Sequence, residues 1–437
     1  MLWLLACISI LATAIYWRVR PGWRRSGPFL PDGLLLGLWL YAAGITWLLA
    51  FEPEPHQARV ACMAWTALAS AATGATIFCV CTGNLYQEAF VRIVASARAT
   101  SLEHAGIAAG LVLSATACVL FLYLVLRIDA IAALLGIGSF ASDFNLLRAR
   151  VLIASGTEAW LAPGYFKQFR DILLPVLLAA AIVADRRRLQ ATWFWALAAL
   201  ALLAMLVSGQ RLVVVVFLAA LTLAAHYART AARPAAARVR RLRGTLVPAS
   251  LVIAGYGLLT LLLGRVRDDA IAGSPALRLI GNFLDRAFLA APRENAITYP
   301  VWSESGPSAG LSWVRDFEGI LPGVGETLSN VLHMATGGSA LGNSPLGLAP
   351  DVWLAWGWPG LLLVPATIAL LAGFLDLACR ARGSPSLIGL RIYLFLILPV
   401  CYSPFIFVLY GGAVAAAILA MVFIARPAMR VTAVAAP

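Results

Sequence analysis

The sequence predicts an all-α, polytopic integral membrane protein: one transmembrane domain, residues 1–437, of about eleven helices with one long loop late in the chain. Three observations carry this reading. Runs of about 17 to 25 apolar residues, the length an α-helix needs to cross the hydrocarbon core, recur along almost the whole chain. Hydrophobic residues make up 62% of it and charged residues only 12%, with a mean hydropathy of +0.87; soluble domains are roughly one-quarter charged. Arginines gather in alternate connections between the runs, as the positive-inside rule expects of cytoplasmic segments.

Taken in order, the first span is 2–16. Its arginines follow the apolar run in 18–25, the reverse of a signal peptide, so it reads as a retained span with its N-terminus outside. Spans 33–51 and 58–82 flank a short outer segment, 51–57. The inner linker 83–104 reads as an interfacial helix and leads into span 105–126. A middle outer loop, 127–167, contains the apolar piece 128–137, too short to cross and long enough to lie along the interface. Spans 168–184 and 191–207 flank Arg186-Arg187-Arg188, and 191–207 joins 212–228 through the tight turn Ser208-Gly209-Gln210. An Ala/Arg/Pro connector, 229–245, leads to span 246–264, the long outer loop 265–351, and the closing spans 352–375, 390–408 and 411–425.

This alternation puts about 20 of the 33 Lys+Arg inside against about 13 outside, and about 5 of the 20 Asp+Glu inside against about 15 outside. The net charge of +13 is therefore a feature of the inner face. Clustered arginine is also the footprint of phosphate binding on nucleic acid. The cluster 238–243 lies between two spans, however, where topology and anionic lipid account for it, and no nucleic-acid partner is expected. The seven cysteines fall within or beside spans, and no Cys/His spacing suits zinc, so neither a disulfide nor a structural metal is expected. No Walker-type loop and no internal repeat is present, which counts against ATP-driven work and against transporters built from repeated halves.

The chemistry is expected outside. Arg211 stands at the outer junction of two apolar helices, where an arginine needs an anionic partner or a water-filled cavity and its planar fork suits phosphate; the alternative is a cation that snorkels to the interface. Arg265 and Arg267 follow span 246–264 and could hold a pyrophosphate at headgroup depth as it leaves. The remaining loop cations, Arg278, Arg286, Arg293 and Arg315, read as partners of the loop acids. His333, the one histidine of the long loop, is the candidate base for a sugar hydroxyl, with Glu326 and Asp351 as fallback bases. The segment 337–351, with Gly337, Gly338, Gly342 and Gly347, reads as a loop that packs against substrate or re-enters the membrane surface, or else as an ordinary flexible loop. Glu52 and Glu54 could hold a divalent metal, although two carboxylates stiffened by Pro53 are few for a site.

The turn Ser208-Gly209-Gln210-Arg211 resembles the Ser/Thr-Gly-x-Arg element of O-antigen polymerases and O-antigen ligases, and 337–360, ending Ala355-Trp356-Gly357-Trp358-Pro359-Gly360, resembles the loop-to-helix junction of the oligosaccharide repeat-unit polymerases. The resemblance implies a multi-pass enzyme of the bacterial inner membrane with a long late periplasmic loop. It implies metal-independent, cofactor-free glycosyl transfer from an undecaprenyl-pyrophosphate donor, with Arg211 as the motif arginine and His333 as the loop histidine. It also implies a chain-length regulator and a flippase as partners. Leu212 stands where a glycine is common, and Met334-Ala335 after His333 departs from the ligases' Asn-rich run and favours a polymerase. The expectation is thus a polymerase of lipid-linked repeats, with a ligase onto lipid A core and a lipid-linked sugar flippase or other transporter as the alternatives.

Overall fold

In a computed structural model the described residues are 1–54, 56–86, 88–126, 169–207, 211–232, 289–304, 306–318, 346–381 and 383–400, together with Gly281 and Asp285. All regular elements among them are helical. In chain order they are α1 (Leu2–Val19), α2 (Leu30–Phe51), α3 (Gln57–Thr82), α4 (Phe90–Ser96), α5 (Ser101–Leu126), α6 (Leu174–Ala184), α7 (Thr192–Val207), α8 (Arg211–Ala232), α9 (Ala290–Glu304), α10 (Leu311–Glu318), α11 (Leu348–Ala381) and α12 (Pro385–Ile397). Among the described residues six apolar segments are long enough to cross a membrane, in α1, α2, α3 with the turn that follows it, α5, α8 and α11, and α7 and α12 are shorter apolar helices. This is the architecture of a helical membrane protein.

The count of eleven spans is not matched one for one. Runs 246–264 and 411–425, the middle loop 127–167 and the end of 390–408 lie outside the described residues. Run 168–184 is a five-residue π-helical turn, Phe169–Leu173, leading into the eleven-residue α6. Within the long loop 265–351, the segments α9 and α10 are helical, and the helix placed at 352 starts at Leu348. Pro350 is no obstacle there, because a proline in the first helical turn lacks only an N–H that would have had no intrahelical acceptor. The inner linker does contain a helix, α4, with Phe90, Ile93 and Val94 buried against the bundle.

Among the described residues the helices form two large apolar clusters and a small third one of Leu30, Ala372 and Leu398. Of the large ones, the first gathers α1, α2, α3, α9 and α11; the second gathers α4 to α8 with α12. In the first, α1 joins α3 where Ser9 Oγ donates to the Trp65 carbonyl at 2.6 Å, and α2 joins α3 where Trp65 Nε1 donates to Thr46 Oγ1 at 3.0 Å. The seam between α3 and α11 is closer still. Ser70 Oγ donates to the Leu362 carbonyl at 2.6 Å and accepts the Ala366 N–H at 3.1 Å, so the hydroxyl stands inside the helical ladder of α11 beside Pro365. A Cβ on Gly74 would stand 2.3 Å from the Ala366 carbonyl oxygen, so only glycine allows this approach. In the second cluster α6 is buried from Leu174 to Val183, and α12 reaches its backbone through Gly389, whose Cβ would meet the Val176 carbonyl at 2.6 Å. Large exposed side chains such as Trp3 and Leu4 on α1 are those a lipid phase would cover.

Candidate functional site

The helix α11 is two helices. At Gly357 the backbone has φ 65° and ψ −156°, a conformation that side-chain-bearing residues rarely adopt. Eight residues of straight helix span about 12 Å. Here a Cβ on Gly360 would lie 3.2 Å from the Val352 carbonyl oxygen, so the nine-residue first half, 348–356, folds sharply against the second, 358–381.

Both ends of the first half are built. At its C-terminal end the carbonyls of Leu354 and Ala355, which the break deprives of intrahelical donors, accept the N–H groups of Ser308 and Gly310 at 2.8 Å each. The turn supplying them carries positive φ at Gly306, Ala309 and Gly310. Gly310 also lets the Trp356 ring lie where a Cβ would come within 2.8 Å of it. At the other end Gly347 lies against the ring of Tyr41, eleven residues from Leu30 and ten from Phe51 and hence near the middle of α2. The Oδ1 of buried Asn295 accepts the Gly347 N–H at 2.7 Å and the Tyr41 hydroxyl at 2.8 Å. The first half thus begins within the depth of the bundle.

Asp351, in the first turn of that half-helix, is buried and accepts Trp313 Nε1 at 2.9 Å. A carboxylate at this position also complements the partial positive charge of a helix N-terminus. A layer of aromatic rings links α9 to the same half-helix. His56 stacks on Tyr299 with centroids 4.8 Å apart, Tyr299 meets Trp302 edge-on at 4.7 Å, and Trp302 meets Trp353 at 5.7 Å. Two buried polar atoms close to this layer, Gln57 Oε1 and Trp353 Nε1, have no hydrogen-bond partner among the described residues. One is an acceptor and the other a donor.

Two cations border the layer. Arg59 donates to the Tyr299 hydroxyl at 3.1 Å, and Arg293 pairs with Asp285 at 2.8 Å and Glu52 at 3.2 Å. Partial burial works against the Arg293 charge, the two carboxylates outweigh it, and its pKa is raised. Arg293 is therefore an ion-pair partner, as the sequence suggested. Glu52 faces a guanidinium, which weakens its case as a metal ligand.

Of the candidate bases and pyrophosphate-binding residues, Asp351 alone has a described side chain. His333, Glu326, Arg265 and Arg267 lie outside the described residues. Arg211 opens α8, and its side chain is likewise outside them. The helix that Arg211 opens packs in the second cluster, and the half-helix that carries Asp351 packs in the first. Sequence reasoning missed Tyr41, Asn295 and the 306–310 turn. The one signal available was Gly357 followed by Pro359, a pairing that breaks helices.

The opposite end of the bundle, rich in arginine, holds a second polar cluster. Asp376 and Arg391 are both fully buried and form a two-bond ion pair, at 2.7 and 2.9 Å. Asp376 also accepts the Tyr86 hydroxyl at 2.9 Å and the Leu30 N–H at 3.1 Å, while Arg391 donates to the Ser26 carbonyl at 2.5 Å. Arg380 donates to the carbonyls of Arg25 and Glu88. Arg20 pairs with Asp32 at 2.8 Å, and Asp32 accepts the Tyr16 hydroxyl. These contacts tie the connector between α1 and α2 to α11 and α12.

No protein-family model, no curated protein and no solved structure matches this chain.

Proposed function

We propose that the protein is a membrane glycosyltransferase that joins lipid-linked oligosaccharide repeat units of a surface polysaccharide, working at the loop end of its bundle. The observation that carries this reading is the broken helix. Irregular backbone within the depth of a membrane bundle persists where protein buries it or where it lines a polar site. Here it holds a buried acid, Asp351, two residues from Trp353, whose Nε1 is buried without a hydrogen-bond partner among the described residues. The weak motif at 337–360, which resembles repeat-unit polymerases, runs through the same break.

In this reading the terminal hydroxyl of one lipid-linked unit attacks the anomeric carbon of the other. The new glycosidic C–O bond forms as the bond from that carbon to the pyrophosphate oxygen breaks. The hydroxyl proton passes to His333 or Asp351, and undecaprenyl pyrophosphate leaves with its charge held by Arg211, Arg265 and Arg267. The active face is then periplasmic and the arginine-rich end cytoplasmic, in a bacterial inner membrane.

The test is the surface-polysaccharide ladder of a deletion strain, with lipid-linked intermediates extracted in parallel. Collapse to a single repeat on a normal core supports polymerisation. Long lipid-linked polymer over bare core would make the protein a ligase, and an unchanged ladder would remove both. The buried Asp376–Arg391 pair favours a transporter as second reading, because ionisable groups inside a bundle often line a pathway. Normal polymer with lipid-linked units trapped on the cytoplasmic face would support it.

A further inference from the structure

A groove of about 650 Å³ runs between α5 and α7 at the arginine-rich end. Its mouth is formed by His104, Arg187, Arg188 and Trp193, with Asp185 as the single acid. Asp185 is already engaged, since its side chain accepts the Arg187 N–H at 2.9 Å and caps the turn that displays both arginines. His104 Nδ1 faces the Thr100 carbonyl at 3.1 Å, and the Arg188 guanidinium lies 6.0 Å from the centroid of the Trp193 ring. No carboxylate within ion-pair distance of Arg187 or Arg188 is found among the described residues. Beyond the mouth the walls turn apolar, with Leu111, Val112 and Ala115 on α5 and Leu197 on α7.

We propose that this groove binds one anionic glycerophospholipid, its phosphate at Arg187 and Arg188 and an acyl chain along the α5 wall. Three features fit that occupant together. The mouth offers two guanidinium groups suited to phosphate oxygens, and α5 and α7 both direct their N-terminal ends toward it, adding partial positive charge. The exposed Trp193 sits at the mouth, where an amphipathic ring prefers the headgroup level. The length is also right. From His104 to Ala115 the helix advances about 16 Å, close to half of the roughly 30 Å hydrocarbon core and so to one leaflet. Basic pockets between membrane helices are a recognised setting for anionic headgroups. A free phosphate would use the mouth and leave the apolar walls without a role.

The experiment is native mass spectrometry of the full-length purified protein, with thermal melting in parallel, during titration with phosphatidylglycerol, phosphatidylcholine or inorganic phosphate. Phosphatidylglycerol is expected to bind in one copy and raise the melting temperature, with little effect from the other two. The double substitution R187Q/R188Q should weaken that binding by on the order of thirtyfold, at roughly 1 kcal/mol per arginine, while R187K/R188K keeps most of it. Val112→Trp, at an exposed position, should block the acyl chain without unfolding the protein. Arg92→Gln, the loss of one cation at an exposed site on α4, should leave the affinity unchanged. Equal binding of phosphatidylcholine, competition by inorganic phosphate, indifference to R187Q/R188Q or to Val112→Trp, or an equal loss with Arg92→Gln would overturn the proposal.

Discussion

Asn295 Oδ1 accepts the backbone N–H of Gly347 at 2.7 Å, and this one bond fixes where the first half of the broken helix begins. A helix N-terminus leaves N–H groups without intrahelical partners, and away from water each needs an acceptor. The same oxygen takes the Tyr41 hydroxyl, so a single amide ties α2, α9 and α11 together.

Asn295→Ala should therefore strand two buried donors. A loss of about 1–3 kcal/mol for each is expected, read as a lower denaturation midpoint in detergent. Tyr41→Phe removes a donor and leaves no new one unmet, so its loss should be about 1 kcal/mol. Equal midpoints for Asn295→Ala and wild type would show that the bond does not position the half-helix.

Gly357→Ala should damage the junction between the two halves of α11. It forces a side chain into the positive-φ region, at a cost of order 1–3 kcal/mol, and brings a Cβ to 3.2 Å from Pro307 Cγ. Gly22→Ala is the control, because a Cβ there meets nothing within 4 Å. Melting curves of the two variants, with polymer length in cells, check this: the first should lose both stability and polymer, the second neither.

Asp376 and Arg391 call for a double-mutant cycle. Removing one partner leaves a buried charge unpaired, and each of Asp376→Leu and Arg391→Met should cost about 3–5 kcal/mol. The double variant, which removes both charges, should recover much of that loss. Full polymer in the double variant would mark the pair as a structural tie. Loss of function with stability restored would instead support the transporter reading.

Existence of the helices was legible because hydropathy over twenty residues reports burial in lipid whatever the packing. Their direction was not. The run 352–375 is apolar throughout, and nothing in its hydropathy marks that it reverses at Gly357. The polar tie at the arginine-rich end was hidden for a different reason. In the sequence Asp376 and Arg391 stand at the ends of the predicted spans 352–375 and 390–408, where charges normally mark topology, and only packing shows that both are buried and paired. Asn295 offered no pattern at all, being one amide in a loop of mixed composition. Asp351 was found because it combines acidity with a place at the loop-to-helix junction, although the sequence put it just outside the helix that in fact carries it.

The most direct test of the proposed activity uses purified protein in bilayer discs with lipid-linked repeat units as sole substrate. Products are resolved by length and the released lipid pyrophosphate is assayed. The account expects a ladder of longer chains, one lipid pyrophosphate released per bond formed, and loss of both in Asp351→Asn at unchanged melting temperature. Folded protein that lengthens no chain and releases no lipid pyrophosphate would contradict it.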